Sequence, residues 1–156
     1  MSIELKQTIH DYIALTRWAW LAIVREDGAP TIRPIGSFAP VDAGQVDIYF
    51  STPLASAKVL ALRRNPRASF YFEHDVLDIA TYKAVSLIGE AVEVAPQSGG
   101  HAAAVAALSA RSPHFRSRVE KGELASIVIF RVNAREIRFS DYSAGRGPGA
   151  IQELPL

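Results

Sequence analysis

The stretch that decides the fold is YFSTPLASAKVLALRRNP, residues 49–66. It starts as an apolar strand that ends in two hydroxyl residues, Ser51 and Thr52, and it continues as a helical pattern. Thr52 is the expected N-cap and Pro53 the expected first helical residue. The first turn of a helix leaves amide N–H groups unpaired and attracts anions, and Lys58 adds a positive charge there. The stretch predicts a phosphate site, although an ordinary helix start with a surface lysine explains the same residues.

A second strand, from about Thr31 to Phe38, carries Arg33 and Pro34. Proline lacks the N–H group that a strand ladder needs, so we expect this strand to lie at an edge or to be locally unpaired. If it forms a hairpin with the strand that ends at Ser51, then Arg33 and unpaired main chain lie beside the same anion. The alternative is that Arg33 is an exposed strand residue with a solvated head.

The remaining pattern is that of short apolar segments separated by turn signals. The sequence EDG at residues 26–28 predicts a hairpin, Gly89 predicts a bulge or bend in a long strand, and a further hairpin is expected around Asn133 and Ala134. Six or seven strands joined by tight turns, with few helices, predict a mainly β protein of the α+β class. We expect an antiparallel barrel or closed sheet with peripheral helices.

The size and charge of the chain limit its organisation and its partners. Its 156 residues favour a single domain, which we place at 1–143, followed by a glycine-rich and flexible tail at 144–156. A formal net charge of +1 argues against electrostatic binding to nucleic acid or acidic membranes. There is no cysteine, no signal-peptide pattern and no apolar stretch that could span a bilayer, so we expect a cytoplasmic protein.

The conventional catalytic and metal-binding patterns are absent from the sequence. The four histidines are scattered, and EHDVLD at residues 73–78 is interpreted as a loop. The basic stretch at residues 110–118 is interpreted as a solvated helix face rather than a nucleic-acid site. Trp18 and Trp20 are expected in the core or in a dimer interface rather than against a ligand. No catalytic side chain and no metal ligand are therefore predicted.

Three segments taken in order resemble a known family. They are WAWLAIVREDGAPTIRPIG (18–36), DIYFSTPLASAKVLALRRNPRASFYFE (47–73) and AVSLIGEAVEV (84–94). Together they are similar to the pyridoxamine 5′-phosphate oxidase-like superfamily of FMN-binding split barrels, and within it to the short general-stress-protein branch. The resemblance implies an antiparallel split β-barrel that is homodimeric, with FMN at the subunit interface and residues of the second chain completing each site.

The resemblance also implies which residues bind the cofactor. Arg33 and Lys58 would face the FMN phosphate, Ser51 and Thr52 would line the phosphate and ribityl region, and main chain after Arg33 would follow the ring. The full set implied for FMN is Arg33, Pro34, Ile35, Gly36, Ser51, Thr52, Ser56, Ala57 and Lys58.

The C-terminal third departs from the family pattern. The oxidase binds pyridoxal partly through an arginine-containing C-terminal motif, whereas Arg146 here lies in a glycine-rich tail. The resemblance thus implies an FMN-dependent oxidoreductase of unknown substrate, working with a small-molecule electron donor or acceptor. The alternatives are a non-catalytic flavin-binding stress or storage protein, a deazaflavin- or heme-binding relative, and a ligand-free interaction domain.

Overall fold

Eight strands and four α-helices organise the part of the chain that the structure, a computed structural model, describes: residues 1–42, 44–145 and 147–156. All strand pairings are antiparallel, and the strand order is β2-β1-β5-β6-β7-β4-β3, with β8 paired to β7. The predicted antiparallel split barrel with peripheral helices is confirmed. The elements in chain order are α1 (Ile3–Leu15), β1 (Ala19–Val24), β2 (Pro30–Ile35), β3 (Phe38–Pro40), β4 (Ile48–Pro53), α2 (Ala57–Arg64), β5 (Arg67–Glu73), β6 (Lys83–Glu93), α3 (His101–Arg111), α4 (Pro113–Glu120), β7 (Ile127–Asp141) and β8 (Ile151–Pro155).

Phenylalanines from four strands fill the inside of the curled sheet. Alternation along each strand points every second side chain inward, which leaves these rings at most 1% exposed. Neighbouring ring centroids lie 5.2 to 5.5 Å apart, a separation that suits stacked or edge-on aromatic pairs. The rings are Phe38, Phe50, Phe70, Phe72 and Phe130.

The helices pack on two different sides of the sheet. From α1, Ile9 and Ile13 join the inner core, and α2 contributes to the same core. By contrast, α3 and α4 cover the outer face of β3, β4 and β7. There Leu108 and Phe115 pack with Tyr49, which points outward from β4, in a smaller second cluster. This arrangement brings the link between α3 and α4 to the end of β4.

The predicted second strand is in fact two strands with a break at Gly36 and Ser37. It was expected to pair with the strand ending at Ser51, and this is wrong for β2, because β3 is the strand that pairs with β4. Among the described strands, β2 pairs only with β1, through the hairpin predicted at residues 26–28, and it lies at the edge of the sheet as Pro34 indicated. The end of the second predicted strand nevertheless lies beside Ser51, as expected, because Ser51 N donates to Ser37 O, in the break between β2 and β3, at 3.0 Å.

The predicted hairpin around Asn133 and Ala134 is wrong, because β7 continues through both residues. The predicted irregularity at Gly89 is confirmed: the pairing of β6 with β7 shifts there and leaves Arg135 without a partner on β6. A Cβ atom at Gly89 would lie 2.2 Å from Asn133 O. Asn133 and Ala134, which resembled a turn, therefore lie beside a β-bulge, which glycine accommodates.

Part of the C-terminal tail has regular structure. Residues Ile151–Pro155 form β8, which pairs with β7, for example Arg138 opposite Glu153. The division at residue 143 and the flexibility of the tail stay predictions, and Arg146 lies outside the described residues. Within the described ranges, no helix is both long and apolar enough to cross a membrane.

Candidate functional site

A cavity of about 650 Å³ opens where the break between β2 and β3 meets the end of β4 and the start of α2. The end of α1 and the link between α3 and α4 form its other side. Of the residues that the structure describes, no aspartate or glutamate lines it, so its polar character comes from hydroxyl and basic groups. The lining residues are Ala14, Arg17, Trp18, Pro34, Ile35, Gly36, Ser37, Ser51, Thr52, Pro53, Lys58, Arg111, Ser112, Pro113 and His114.

The cavity brings together most of the residues predicted to bind FMN. Arg33, Ser56 and Ala57 do not line it, although each is next to a residue that does or lies within two positions of one. The role of every one of these residues in FMN binding stays a prediction. The six that line the cavity are Pro34, Ile35, Gly36, Ser51, Thr52 and Lys58.

The wall formed by the break between β2 and β3 is held by two serines and one tryptophan. The hydroxyl oxygens of Ser37 and Ser51 lie 2.6 Å apart, in addition to the main-chain bond between these residues. A Cβ atom at Gly36 would lie 2.8 Å from Cζ3 of Trp18. Glycine therefore allows the indole to lie directly against main chain at the mouth of the cavity.

The start of α2 differs from the prediction. Ser56, not Thr52, is the N-cap: its hydroxyl accepts a hydrogen bond from Lys58 N at 3.3 Å. Thr52 and Pro53 instead belong to β4, where Thr52 pairs with Val128. Pairing with β7 thus extends the strand past the point where local preferences would start the helix. As a result, Thr52 presents its side chain from a strand.

The hydroxyl of Thr52 is the clearest sign of a missing partner. The residue is 3% exposed and lines the cavity, yet Thr52 Oγ1 forms no hydrogen bond. An unsatisfied buried polar group costs about 1–3 kcal/mol. Because Oγ1 itself is shielded from solvent, a ligand with a polar atom in the cavity would remove that cost once the Thr52 side chain turns toward it.

Lys58 supplies a half-buried positive charge that has no carboxylate beside it in the described part of the chain. Burial lowers the pKa of Lys58, and the charge of Arg33 lowers it further. Arg33 itself is exposed, and its Nη1 donates to Thr31 Oγ1 at 2.6 Å and to Ile32 O at 2.8 Å. Both effects disfavour the ammonium form, and an anion bound in the cavity would reverse them.

Arg111 is a lining residue that the sequence did not reveal. Its Nη2 donates to the carbonyl of Thr16, its guanidinium carbon lies 3.9 Å from the centroid of the Phe38 ring, and its Nε is buried without a partner. Burial lowers the pKa of this guanidinium. The interpretation of residues 110–118 as a solvated helix face is therefore wrong for Arg111.

The signal that could have found Arg111 is the pair Ser112-Pro113. Ser112 ends α3 and caps α4, accepting a hydrogen bond from Phe115 N at 3.2 Å. This break turns the basic stretch into two helices and leaves Arg111 and His114 at their junction, which faces the cavity.

The two tryptophans lie at the surface. Trp18 is 52% exposed and Trp20 is 42% exposed, so their assignment to the core is wrong. With Leu15, Val76 and neighbouring polar residues they line a second groove of about 580 Å³, which shares Arg17 and Trp18 with the cavity. Their predicted place in a dimer interface remains a prediction.

The groups that line the cavity are suited to binding an anion. The lining has no carboxylate, and across the described ranges no three histidine, aspartate or glutamate side chains are grouped so that they could hold a metal ion. What the cavity offers is hydroxyl groups, main chain at a sheet edge and basic side chains. This set suits an anionic ligand with a flat polar ring.

Comparison with known proteins agrees with this description. The family model described as pyridoxamine 5′-phosphate oxidase matches residues 5–141. No curated protein sequence matches the chain.

Solved structures with the same fold include proteins of several stated kinds. A heme binding protein from Mycobacterium smegmatis superposes with a TM-score of 0.77 at 16% identity, over 99% of this chain and 58% of that one. The chain thus spans little more than half of that relative. The General Stress Protein 26 from Bacillus anthracis str. Sterne gives 0.66 at 19%, over 98% and 99%. A FAD-binding protein from Mesorhizobium loti gives 0.66 at 24%, over 88% and 92%. At these identities the likeness establishes the fold alone.

Proposed function

Since the chain belongs to the pyridoxamine 5′-phosphate oxidase family, whose model matches residues 5–141, we propose that its cavity holds FMN and that it is an FMN-dependent oxidoreductase. The observation that carries the proposal is that one cavity holds two polar side chains, Lys58 and Thr52, for which the described residues supply no partner. Lys58 is a half-buried cation without a carboxylate beside it, and Thr52 has a buried hydroxyl without a partner. A phosphate ester would pair with the ammonium of Lys58 directly and would accept a bond from the hydroxyl of Thr52 once that side chain turns toward it.

The residues present fit the parts of FMN. The ammonium of Lys58, with Arg33 nearby, neutralises the phosphate, and the hydroxyls of Ser51 and Thr52 hydrogen-bond to the phosphate and ribityl oxygens. Main chain at Gly36, just after the edge strand β2, would bind the polar rim of the ring. Each role is proposed from the position of the residue in the cavity lining and from its charge.

Bound FMN would supply hydride or single-electron transfer, which needs no acid or base from the protein. The chain's own residues then bind and orient. The Gly36 segment and the indole of Trp18 form one wall of the cavity. The apolar core beneath Ser51 excludes water from the closed side of the cavity. A small organic molecule or nicotinamide would exchange electrons with the cofactor from the open side of the cavity. We expect the protein to work in the cytoplasm.

We place the second subunit over the exposed tryptophans. Aromatic side chains are enriched at subunit interfaces, and Trp18 belongs both to the cavity and to the neighbouring groove. A homodimer formed there would close the cavity with residues of the second chain. Light scattering should give the mass of a dimer, and Trp20→Glu should lower both that mass and the affinity for FMN.

Two alternatives remain for the same cavity. One is a flavin-binding stress or storage protein without turnover, which is kept because the sequence has no recognisable substrate motif. The other is a heme or deazaflavin ligand. Heme is favoured by one observation, namely that His114 lines the cavity and offers an imidazole to iron.

The absorption spectrum of the protein as purified, with mass identification of the released chromophore, tests the proposal. A flavin spectrum and FMN mass support it, whereas a Soret band or a deazaflavin mass replaces FMN. A colourless protein that does not quench added FMN fluorescence rules the proposal out. Anaerobic reduction by NADH or NADPH, followed by turnover on a substrate panel, separates an oxidoreductase from a storage protein.

A further inference from the structure

Trp18 lies at the boundary between two spaces. Among the described residues that line them, the cavity of about 650 Å³ and the groove of about 580 Å³ share only Arg17 and Trp18. The described lining of the cavity contains no carboxylate, whereas Glu73 and Asp75 line the groove together with the indole of Trp20. Trp18 therefore separates a basic space from one that has carboxylates and further aromatic side chains.

The indole of Trp18 rests on the main chain of Gly36. A Cβ atom at residue 36 would lie 2.8 Å from Cζ3 of the indole and 3.3 Å from both Cε3 and Cη2. These three nearest atoms all belong to one side chain, so a side chain at residue 36 would displace the indole rather than main chain. Gly36 is not among the glycines with positive φ. Glycine is thus needed here for the close approach of Trp18 and not for the conformation of the main chain.

The main chain on either side of Trp18 is fixed, while its side chain has room to turn. Thr16 is 1% exposed, and its hydroxyl donates to Ile13 O at 2.7 Å. Ala19 is fully buried and starts β1, where it pairs with Phe72. The Trp18 side chain between these two anchors is about half exposed. The indole can therefore rotate about its own side-chain bonds without moving α1 or β1.

We propose that Trp18 is a gate that sets the size of the ligand that the cavity accepts. When it rests on Gly36, its indole closes the cavity toward the groove and limits the ligand to one of about the size of FMN. When it turns away, the two spaces join. A larger ring can then keep its anionic groups in the basic cavity and pack an apolar edge against Trp20. The inference rests on the proposed function for the identity of the smaller ligand, but not for the gate.

The test compares FMN with protoporphyrin IX, a wider ring that has two carboxylates on one edge and apolar groups on the other. The metal-free form is used so that no iron can bind His114. Fluorescence titration of the cofactor-free protein gives a dissociation constant for each ligand, and their ratio is the preference. Trp18→Ala removes the gate, and Gly36→Ala displaces it. The matched controls are Trp20→Ala, which removes an indole that lines the groove alone, and Gly99→Ala, where a Cβ atom meets nothing within 4 Å.

We expect Trp18→Ala to shift the preference toward protoporphyrin IX by about 10-fold or more, because the steric discrimination against the wider ring is lost. Gly36→Ala should shift it in the same direction by a smaller factor, since the displaced indole still fills part of the boundary. Adding Gly36→Ala to Trp18→Ala should change the preference by less than about twofold, because both substitutions act through one contact. Both controls should keep the wild-type preference.

A second measurement needs no ligand. The chain has two tryptophans, so Trp20→Phe leaves Trp18 as the only one. In that background, Gly36→Ala should increase the quenching of tryptophan emission by acrylamide, because the indole leaves the main chain of residue 36 for solvent. Gly99→Ala in the same background should leave the quenching unchanged.

Three results would overturn the gate. The first is a wild-type preference in both Trp18→Ala and Gly36→Ala, or full additivity of the two. The second is acrylamide quenching that Gly36→Ala does not change. The third is an equal shift of preference in Trp20→Ala, which would assign the effect to the groove or to a subunit interface. Tighter binding of protoporphyrin IX by Trp18→Ala, in a protein that does not bind FMN, would refute the proposed function and leave the gate standing. Binding of neither ligand by any of these proteins would overturn both.

Discussion

Replacing Lys58 by methionine is the sharpest test of the phosphate site. Methionine keeps the apolar stem that packs at the start of α2 and removes the charge. A hydrogen bond to a charged group contributes about 1.5–3 kcal/mol, and each 1.4 kcal/mol is tenfold in affinity. The FMN dissociation constant should therefore rise by about 10- to 150-fold. The assay is quenching of flavin fluorescence on titration of the cofactor-free protein.

Riboflavin separates the phosphate contact from every other effect of the substitution. It has the same ring and ribityl chain but no phosphate, so Lys58→Met should change its affinity by less than about threefold. Lys121→Met, at an exposed lysine at the end of α4, is the matched control and should change neither ligand. Equal losses for FMN and riboflavin in Lys58→Met, or no loss for either, would refute the assignment of Lys58 to the phosphate.

Three further results are expected. Arg33→Ala should weaken FMN less than Lys58→Met, because Arg33 is exposed and lies outside the cavity lining; an equal loss in the same titration would contradict this. The affinity for FMN should fall as pH rises through the lowered pKa of Lys58, since only the ammonium pairs with phosphate, and Lys58→Met should remove that slope. Gly89→Ala should cost at least about 1–3 kcal/mol of stability, a fall in Tm of about 2–4 °C per kcal/mol in thermal unfolding. Gly99→Ala, where a Cβ atom meets nothing within 4 Å, should leave Tm unchanged.

Local patterns predicted the barrel and one half of the cavity. Period-two alternation gave most of the strands, and Pro34 correctly placed β2 at an edge because its missing N–H is a property of one residue. The neighbourhood of Gly36 and Ser51 was also expected, although the route differs: β3, not β2, pairs with β4. These features depend on residues close together in the sequence.

The errors occurred where a distant partner decides between two local choices. Thr52 and Ser56 both satisfy the preferences of an N-cap, and pairing with Val128 on β7 assigns Thr52 to the strand. Asn133 resembles a turn residue in the local sequence. It lies within β7 because Gly89, across the ladder on β6, leaves room for a bulge. Ser112-Pro113 marks the break between α3 and α4, but no local residue tells which face of the sheet α3 covers, so the second half of the cavity was not predicted.

Because the helices pack on two separate hydrophobic clusters, they differ in how much of the core local unfolding would expose. Ile9 and Ile13 anchor α1 in the main core, so unwinding that helix would expose the interior of the barrel. The α3–α4 pair covers a separate and smaller cluster on the outer surface, and can lift away while the phenylalanine interior stays closed. Amide hydrogen exchange should therefore be faster in α3 and α4 than in β5 and β6. Since that pair carries Arg111, its wall of the cavity can fluctuate while the wall beside Ser51 stays fixed.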